Sequence, residues 1–155
     1  MGIALSTAGV TVGYAIEEVK GTRPVSGYSV IPDIKSIPET NPEPETLEST
    51  TLAETEFKTY IEGLKDLGGA LAFTANYTTE LETVWAELVE AYKTAIASEL
   101  ATWFEIKHPK LEKSVYFKGQ PSAMGLPAMD VNSVLEISLY ITPTSAPQRE
   151  AKSSN

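Results

Sequence analysis

Cysteine is absent from this chain of 155 residues, and histidine occurs once, as His108. Disulfides and thiolate metal sites are thereby excluded, and nothing marks the redox compartment. A single histidine, set before Pro109 in a turn-like stretch, leaves no ordinary zinc, haem or histidine-based triad site. No apolar run reaches the roughly 18 residues of a membrane-spanning helix. Gly63 to Gly69 lacks the Lys-Ser/Thr ending of a P-loop and opens no Rossmann helix. One deficit is local: residues 36–56 contain neither Lys nor Arg.

The length implies one domain with a self-sufficient core. Hydrophobic content of 42% and charged content of 21% are those of a globular protein. The net charge is -9, from 12 basic and 21 acidic residues. Such a surface repels nucleic acid and anionic membranes, although DNA could pass nearby without sticking. Met1-Gly2-Ile3-Ala4-Leu5-Ser6 matches the myristoylation pattern, but no polybasic patch follows, and one acyl chain anchors only marginally. The same stretch lacks the positive n-region of a secretory signal. Asn76-Tyr77-Thr78 fits the glycosylation sequon; its place at a strand end feeding a helix favours a structural role.

Periodicity organises the chain. Residues 10–19 alternate as a strand, with Val10, Val12, Tyr14 and Ile16 on one face. Gly21 to Pro24 reads as a turn, and residues 28–37 as an extended stretch broken or confined to an edge by Pro32 and Pro38. Residues 38–46, dense in Pro and Glu, read as an extended, exposed arm that residues 47–55 continue as an edge strand. A strand at residues 57–61, a glycine turn and a strand at residues 71–77 follow. Leu71, Phe73, Ala75 and Tyr77 share one face of the latter, and Ala72, Thr74 and Asn76 the other, so one side is buried and one wet.

Thr79 with Glu82 makes a capping box, and Leu81, Val84, Trp85, Leu88, Tyr92 and Ala95 recur at helical spacing, which predicts a helix over 80–98. That stripe is core, packed on the sheet, not a ligand platform. Strands at residues 101–107 and 114–119 flank the His108 turn. Residues 121–127 form a loop, and residues 131–141 a long amphipathic strand with Asn132, Glu136, Ser138 and Tyr140 on its polar face. The expected fold is mainly β: a sandwich or partly closed barrel of about seven strands flanked by one α-helix. Residues 1–142 form the domain, with the arm at 36–56, and residues 143–155 a flexible tail.

For acid–base work only Glu17-Glu18 and Glu43/Glu45 form carboxylate pairs worth weighing. Neighbours on a strand point to opposite faces, and the second pair lies on the arm, so neither faces across a cleft. The expectation is no enzyme, no cofactor and no metal.

The run from Tyr60 to Tyr77, YIEGLKDLGGALAFTANY, resembles the central hairpin of siphophage major tail proteins, the tail tube proteins. The Gly13-Tyr14 strand, the Pro24 loop, Ile31-Pro32-Asp33-Ile34, the acidic arm, the single helix and the closing strand fall in the same order, over residues 8–142. The resemblance implies a virion structural protein that self-assembles into hexameric rings stacked as a hollow tube. The ring would surround the tape measure protein, meet tail terminator and tail-tip proteins, and conduct DNA during ejection. It implies assembly in the host cytoplasm and no membrane partner. The acidic arm, with Glu39, Glu43, Glu45, Glu48, Glu54 and Glu56, would reach a neighbouring subunit or ring; by itself it reads as a solvated loop or, in preference, as a segment ordered by a basic patch of the next subunit. Thr74, Asn76, Asn132 and Glu136 are candidate lumen-lining residues. The alternative is a monomeric β-sandwich binding or decoration module, whose aromatic loop tips are missing here.

Overall fold

Seven antiparallel strands follow one another as a half-barrel, and one helix covers its concave side. The structure, a computed structural model, describes residues 8–39, 44–48, 60–65, 70–127, 129, 131 and 134–153, with the backbone alone for 44–48 and 60–65. In chain order the strands are β1 (Thr11–Ile16), β2 (Ser29–Val30), β3 (Ile34–Ser36), β4 (Pro44–Glu48), β5 (Tyr60–Lys65) and β6 (Leu71–Asn76). Helix α1 (Thr79–Ala97) follows, then β7 (Thr102–Lys107), β8 (Lys113–Pro121), β9 (Glu136–Pro143) and β10 (Gln148–Ala151). The sheet order is β2-β1-β7-β8-β9-β6-β3, with β10 also on β8 and β4-β5 as a separate ribbon.

Alternation decides which residues meet. Val12, Phe104 and Phe117 point inward from β1, β7 and β8; Leu71, Phe73, Ala75, Ile137, Leu139 and Ile141 do so from β6 and β9. Leu81, Trp85, Leu88 and Val89 of α1 complete this core. Each large side chain withdrawn from water contributes about 1.5–3 kcal/mol. The Trp85 indole N–H, which burial would otherwise strand, donates to the Ser122 carbonyl at 2.9 Å.

The opposite face of β1, β7 and β8 is buried as well. Ala15, Trp103 and Tyr116 form a second cluster there with Tyr28. Hence Trp103 and Phe104, adjacent on β7, are both buried. A one-sided pattern was expected for β1; the loop before β2 brings Tyr28 over the other side.

The ends of α1 follow capping chemistry. Thr78, not Thr79, is the N-cap: its side chain accepts from the Leu81 N–H at 3.1 Å. The hydroxyl also donates to Asp33 Oδ2 at 2.6 Å, which favours the earlier threonine. At the C-terminus the Leu100 N–H reaches the Ala95 carbonyl and the Glu99 N–H the Ile96 carbonyl. This is a Schellman closure with Glu99 at φ 58, where glycine is usual.

Three expectations give way. Residues 60–77 do not form a hairpin: β5 pairs with β4, while β6 lies between β9 and β3. A strand has two edges, and both edges of β6 are taken. Residues after Pro143, expected as a flexible tail, carry β10, which pairs with the N-terminal half of β8. The closing strand begins at Glu136 instead of residue 131, and Val131 is 90% exposed. The β8–β9 corner is tight: a Cβ on Gly119 would lie 2.6 Å from Ile141 Cγ2.

Candidate assembly surfaces

The wet side of the sheet is built by β3, β6 and β9. Ala72 pairs with Tyr140, Thr74 with Ser138 and Asn76 with Glu136, so these side chains share the face opposite Phe73 and Leu139. Three of the four expected lumen residues, Thr74, Asn76 and Glu136, therefore come together. Asn132 lies outside the described residues. Thr74, Asn76 and Glu136 are half-buried, and Tyr140 is 48% exposed. Lys35 of β3 pairs with Glu136. Asn76 Oδ1 is buried with no hydrogen-bond partner among the described residues. Ser138 and Tyr140 were placed on the polar face by the sequence reading but not among the lumen candidates, and Lys35 was not singled out at all.

The arm residues distribute differently. Glu39 is exposed beyond β3. Glu45 and Glu48 lie on β4, where Glu48 is opposite Tyr60 and Thr46 opposite Glu62. Glu43, Glu54 and Glu56 fall outside the described residues. The arm thus supplies one strand, β4, of a two-stranded ribbon whose other strand, β5, follows it, a unit that is marginal in water without further packing.

Two buried carboxylates were missed as structural centres. Glu17 accepts from the Trp103 indole N–H at 2.9 Å, the Ala101 N–H at 2.9 Å and the Gly21 N–H at 3.3 Å. Glu105 accepts from the Ser153 hydroxyl at 2.6 Å and its N–H at 3.1 Å. The Tyr116 hydroxyl shares its one proton between Glu105, at 2.9 Å, and the Ala151 carbonyl, at 2.6 Å. Burial works against both charges. For Glu17 the donors from Trp103, Ala101 and Gly21 outweigh it, and for Glu105 the two from Ser153 lead, so both carboxyls lie below the ordinary range. Burial pushes Tyr28 up to about 12 and Tyr116 higher still.

These environments favour ionised, fully bonded carboxylates. A general acid needs the reverse, a pKa raised toward working pH. Glu18, the other half of the pair weighed from sequence, is exposed beside buried Glu17. Among the described residues no group of three His, Asp or Glu is placed to hold a metal ion.

No family model matches the sequence, and no curated protein matches it. A chain in the six-fold symmetrised cryo-EM structure of the anti-feeding prophage baseplate matches with a TM-score of 0.61. The two chains share one fold. The match covers 97% of this chain and 98% of that one at 10% identity. It therefore takes in the half-barrel, the helix and the ribbon region together. At that identity the likeness speaks for the backbone arrangement and not for individual side chains.

Proposed function

We infer that this chain is a structural subunit of a phage-tail-like particle, and more closely a tube-forming subunit. In this reading it self-assembles into hexameric rings that stack around a tape measure protein. The rings meet terminator and tip proteins at their ends and conduct DNA during ejection, as in a siphophage virion. The observation that carries the reading is the end-to-end fold match to a chain of a six-fold baseplate.

Local features support it. The main sheet ends in two short strands, β2 and β3, each with one edge unpaired among the described residues. Exposed edges invite pairing, and joining copies edge to edge would satisfy both. The face carrying Thr74, Asn76, Ser138 and Glu136 is small and polar, as suits a lumen past which phosphate slides. The β4-β5 ribbon would gain packing from a neighbour.

Negative-stain electron microscopy of the concentrated protein, beside a variant lacking residues 38–48, tests this. Hollow tubes from the intact chain, lost or shortened in the variant, are expected. A protein that stays monomeric at high concentration, with a tape measure fragment added, would turn the reading to a monomeric binding module.

A further inference from the structure

Outside one end of the molecule, every described cationic side chain has a carboxylate or an aromatic ring of its own chain as partner. Lys20 pairs with Glu99 at 2.9 Å, Lys35 with Glu136, Lys93 with Glu90 at 3.7 Å and Lys107 with Glu105 at 3.9 Å. The Arg23 guanidinium lies 4.2 Å from the Tyr116 ring centre, and Lys118 Nζ 5.6 Å from that of Trp103. The exceptions are Lys110, Lys113, Arg149 and Lys152. Among the described residues these four form no ion pair and meet no aromatic ring.

The four lie together. Lys113 opens β8 and pairs across to Ala151 of β10. Lys152, the next residue, donates to the Pro109 carbonyl at 3.3 Å, beside Lys110 in the β7–β8 turn. Arg149 precedes on β10, opposite Val115. The exposed carboxylates at this end are Glu112 and Glu150, so cations outnumber them on a chain of net charge -9.

The acidic arm is rooted at the opposite end. Ile34 is opposite Ala75 and Ser36 opposite Thr74, so β3 runs toward the Leu71 end of β6 and the chain leaves the sheet there. Leu71 pairs with Ile141, and Ile141 with Pro121, the last residue of β8. The four cations without an ion pair lie around the first residue of β8. A strand of nine residues separates its two ends by roughly 26–30 Å at about 3.3 Å per residue. Negative charge on an arm at one end and unspent positive charge at the other make a head-to-tail pair. A contact of that kind joins different patches of identical copies and so propagates through rings or stacks.

We propose that the acidic arm of one copy, from Glu39 through β4 to Glu48, docks on the Lys110, Lys113, Arg149 and Lys152 end of a second copy. The contact rests on the assembly reading above and names the surface that receives the arm. Its charges steer the approach and set the register between copies.

The test is a charge swap read by assembly. One variant carries Lys110→Glu, Lys113→Glu and Lys152→Glu; a second carries Glu39→Lys, Glu43→Lys, Glu45→Lys and Glu48→Lys; a third combines both sets. The critical concentration for tubes is measured by sedimentation and electron microscopy, with near-UV circular dichroism to verify folding. Each single set should raise it by at least about tenfold, and the combined set should restore it toward wild type. Raising salt from about 0.1 to 1 M, which shortens the screening length from about 10 to 3 Å, should weaken wild-type assembly. If a reversal does not fold, Lys110→Gln, Lys113→Gln and Lys152→Gln give the same reading with a smaller perturbation. Wild-type tubes indifferent to both sets, or a combined set no better than its parts, overturn the docking contact alone. A wild type that never assembles overturns the assembly reading and this contact with it.

Discussion

The Ser153 hydroxyl donates a 2.6 Å hydrogen bond to Glu105 Oε1, tying the end of the chain to the middle of β7. The Ser153 N–H and the Tyr116 hydroxyl also donate to that carboxylate. Glu105 keeps its charge in a buried place because the last strand closes over it. Ser153→Ala should therefore cost about 1–3 kcal/mol, the range for a hydrogen bond to a charged group left one donor short. Urea unfolding with an unchanged midpoint in Ser153→Ala would mean the tail adds no stability there.

Acid should loosen the same face. Glu17 and Glu105 titrate lower in the folded protein than in the unfolded chain. The unfolded state then binds more protons between the two pKa values, so stability rises with pH across that window. Their contribution is complete above the unfolded carboxylate pKa of about 4.3 and is lost as pH falls through the depressed native values. Melting temperatures from pH 7 downward should drop below about pH 4–5, and the double variant Glu17→Gln, Glu105→Gln should drop less steeply. Parallel curves for the two proteins would show that other groups govern acid unfolding.

Gly119→Ala should destabilise by about 1–3 kcal/mol, the usual penalty for overfilling a packed core. The added methyl meets Ile141 Cγ2 at 2.6 Å and Phe104 Cε2 at 3.2 Å. Gly125→Ala, with no atom within 4 Å of the new Cβ, is the control and should be nearly neutral. Chemical denaturation of both separates the local clash from the general effect of replacing glycine.

Thr78→Ala should cost about 1 kcal/mol through loss of the cap, and somewhat more because the Asp33 bond goes with it. Thr79→Ala should change little. Equal losses in thermal melts would return the cap to Thr79.

Glu99→Gly should raise stability by up to about 1 kcal/mol. A non-glycine residue in left-handed geometry costs roughly 1–2 kcal/mol, while the Lys20–Glu99 pair given up is exposed on both sides and worth little. An unchanged or lower melting temperature would mean the ion pair or chain entropy dominates.

Much of this architecture was legible without coordinates, because local rules carry it. The stripe from Leu81 to Ala95 placed α1 within one residue of its observed ends, since helical burial repeats with the backbone's own period. Alternation likewise set the inward faces of β6 and β9, and so put Thr74, Asn76 and Glu136 on one surface. Local pattern was silent wherever the answer depended on a residue far along the chain. Nothing in residues 60–77 says that both edges of β6 are already taken by β3 and β9. Nothing in Gln148-Arg149-Glu150-Ala151, a polar run without alternation, says that β8 has an edge to spare. The second buried face of β7 escaped for a related reason: Glu105 reads as a solvent residue until Tyr116 and Ser153 are seen to bond it.

Sequence by itself determined the mainly β class, the single helix, the net acidity and the cation-free arm. These depend on composition and on periods of two or 3.6 residues. Tertiary structure alone decided which strands pair, where the carboxylates of Glu17 and Glu105 are held, and that four cations without an ion pair among the described residues gather at the end opposite the arm. Edge pairing and charge placement are relations between distant segments, and they exist only once the sheet has closed around its core.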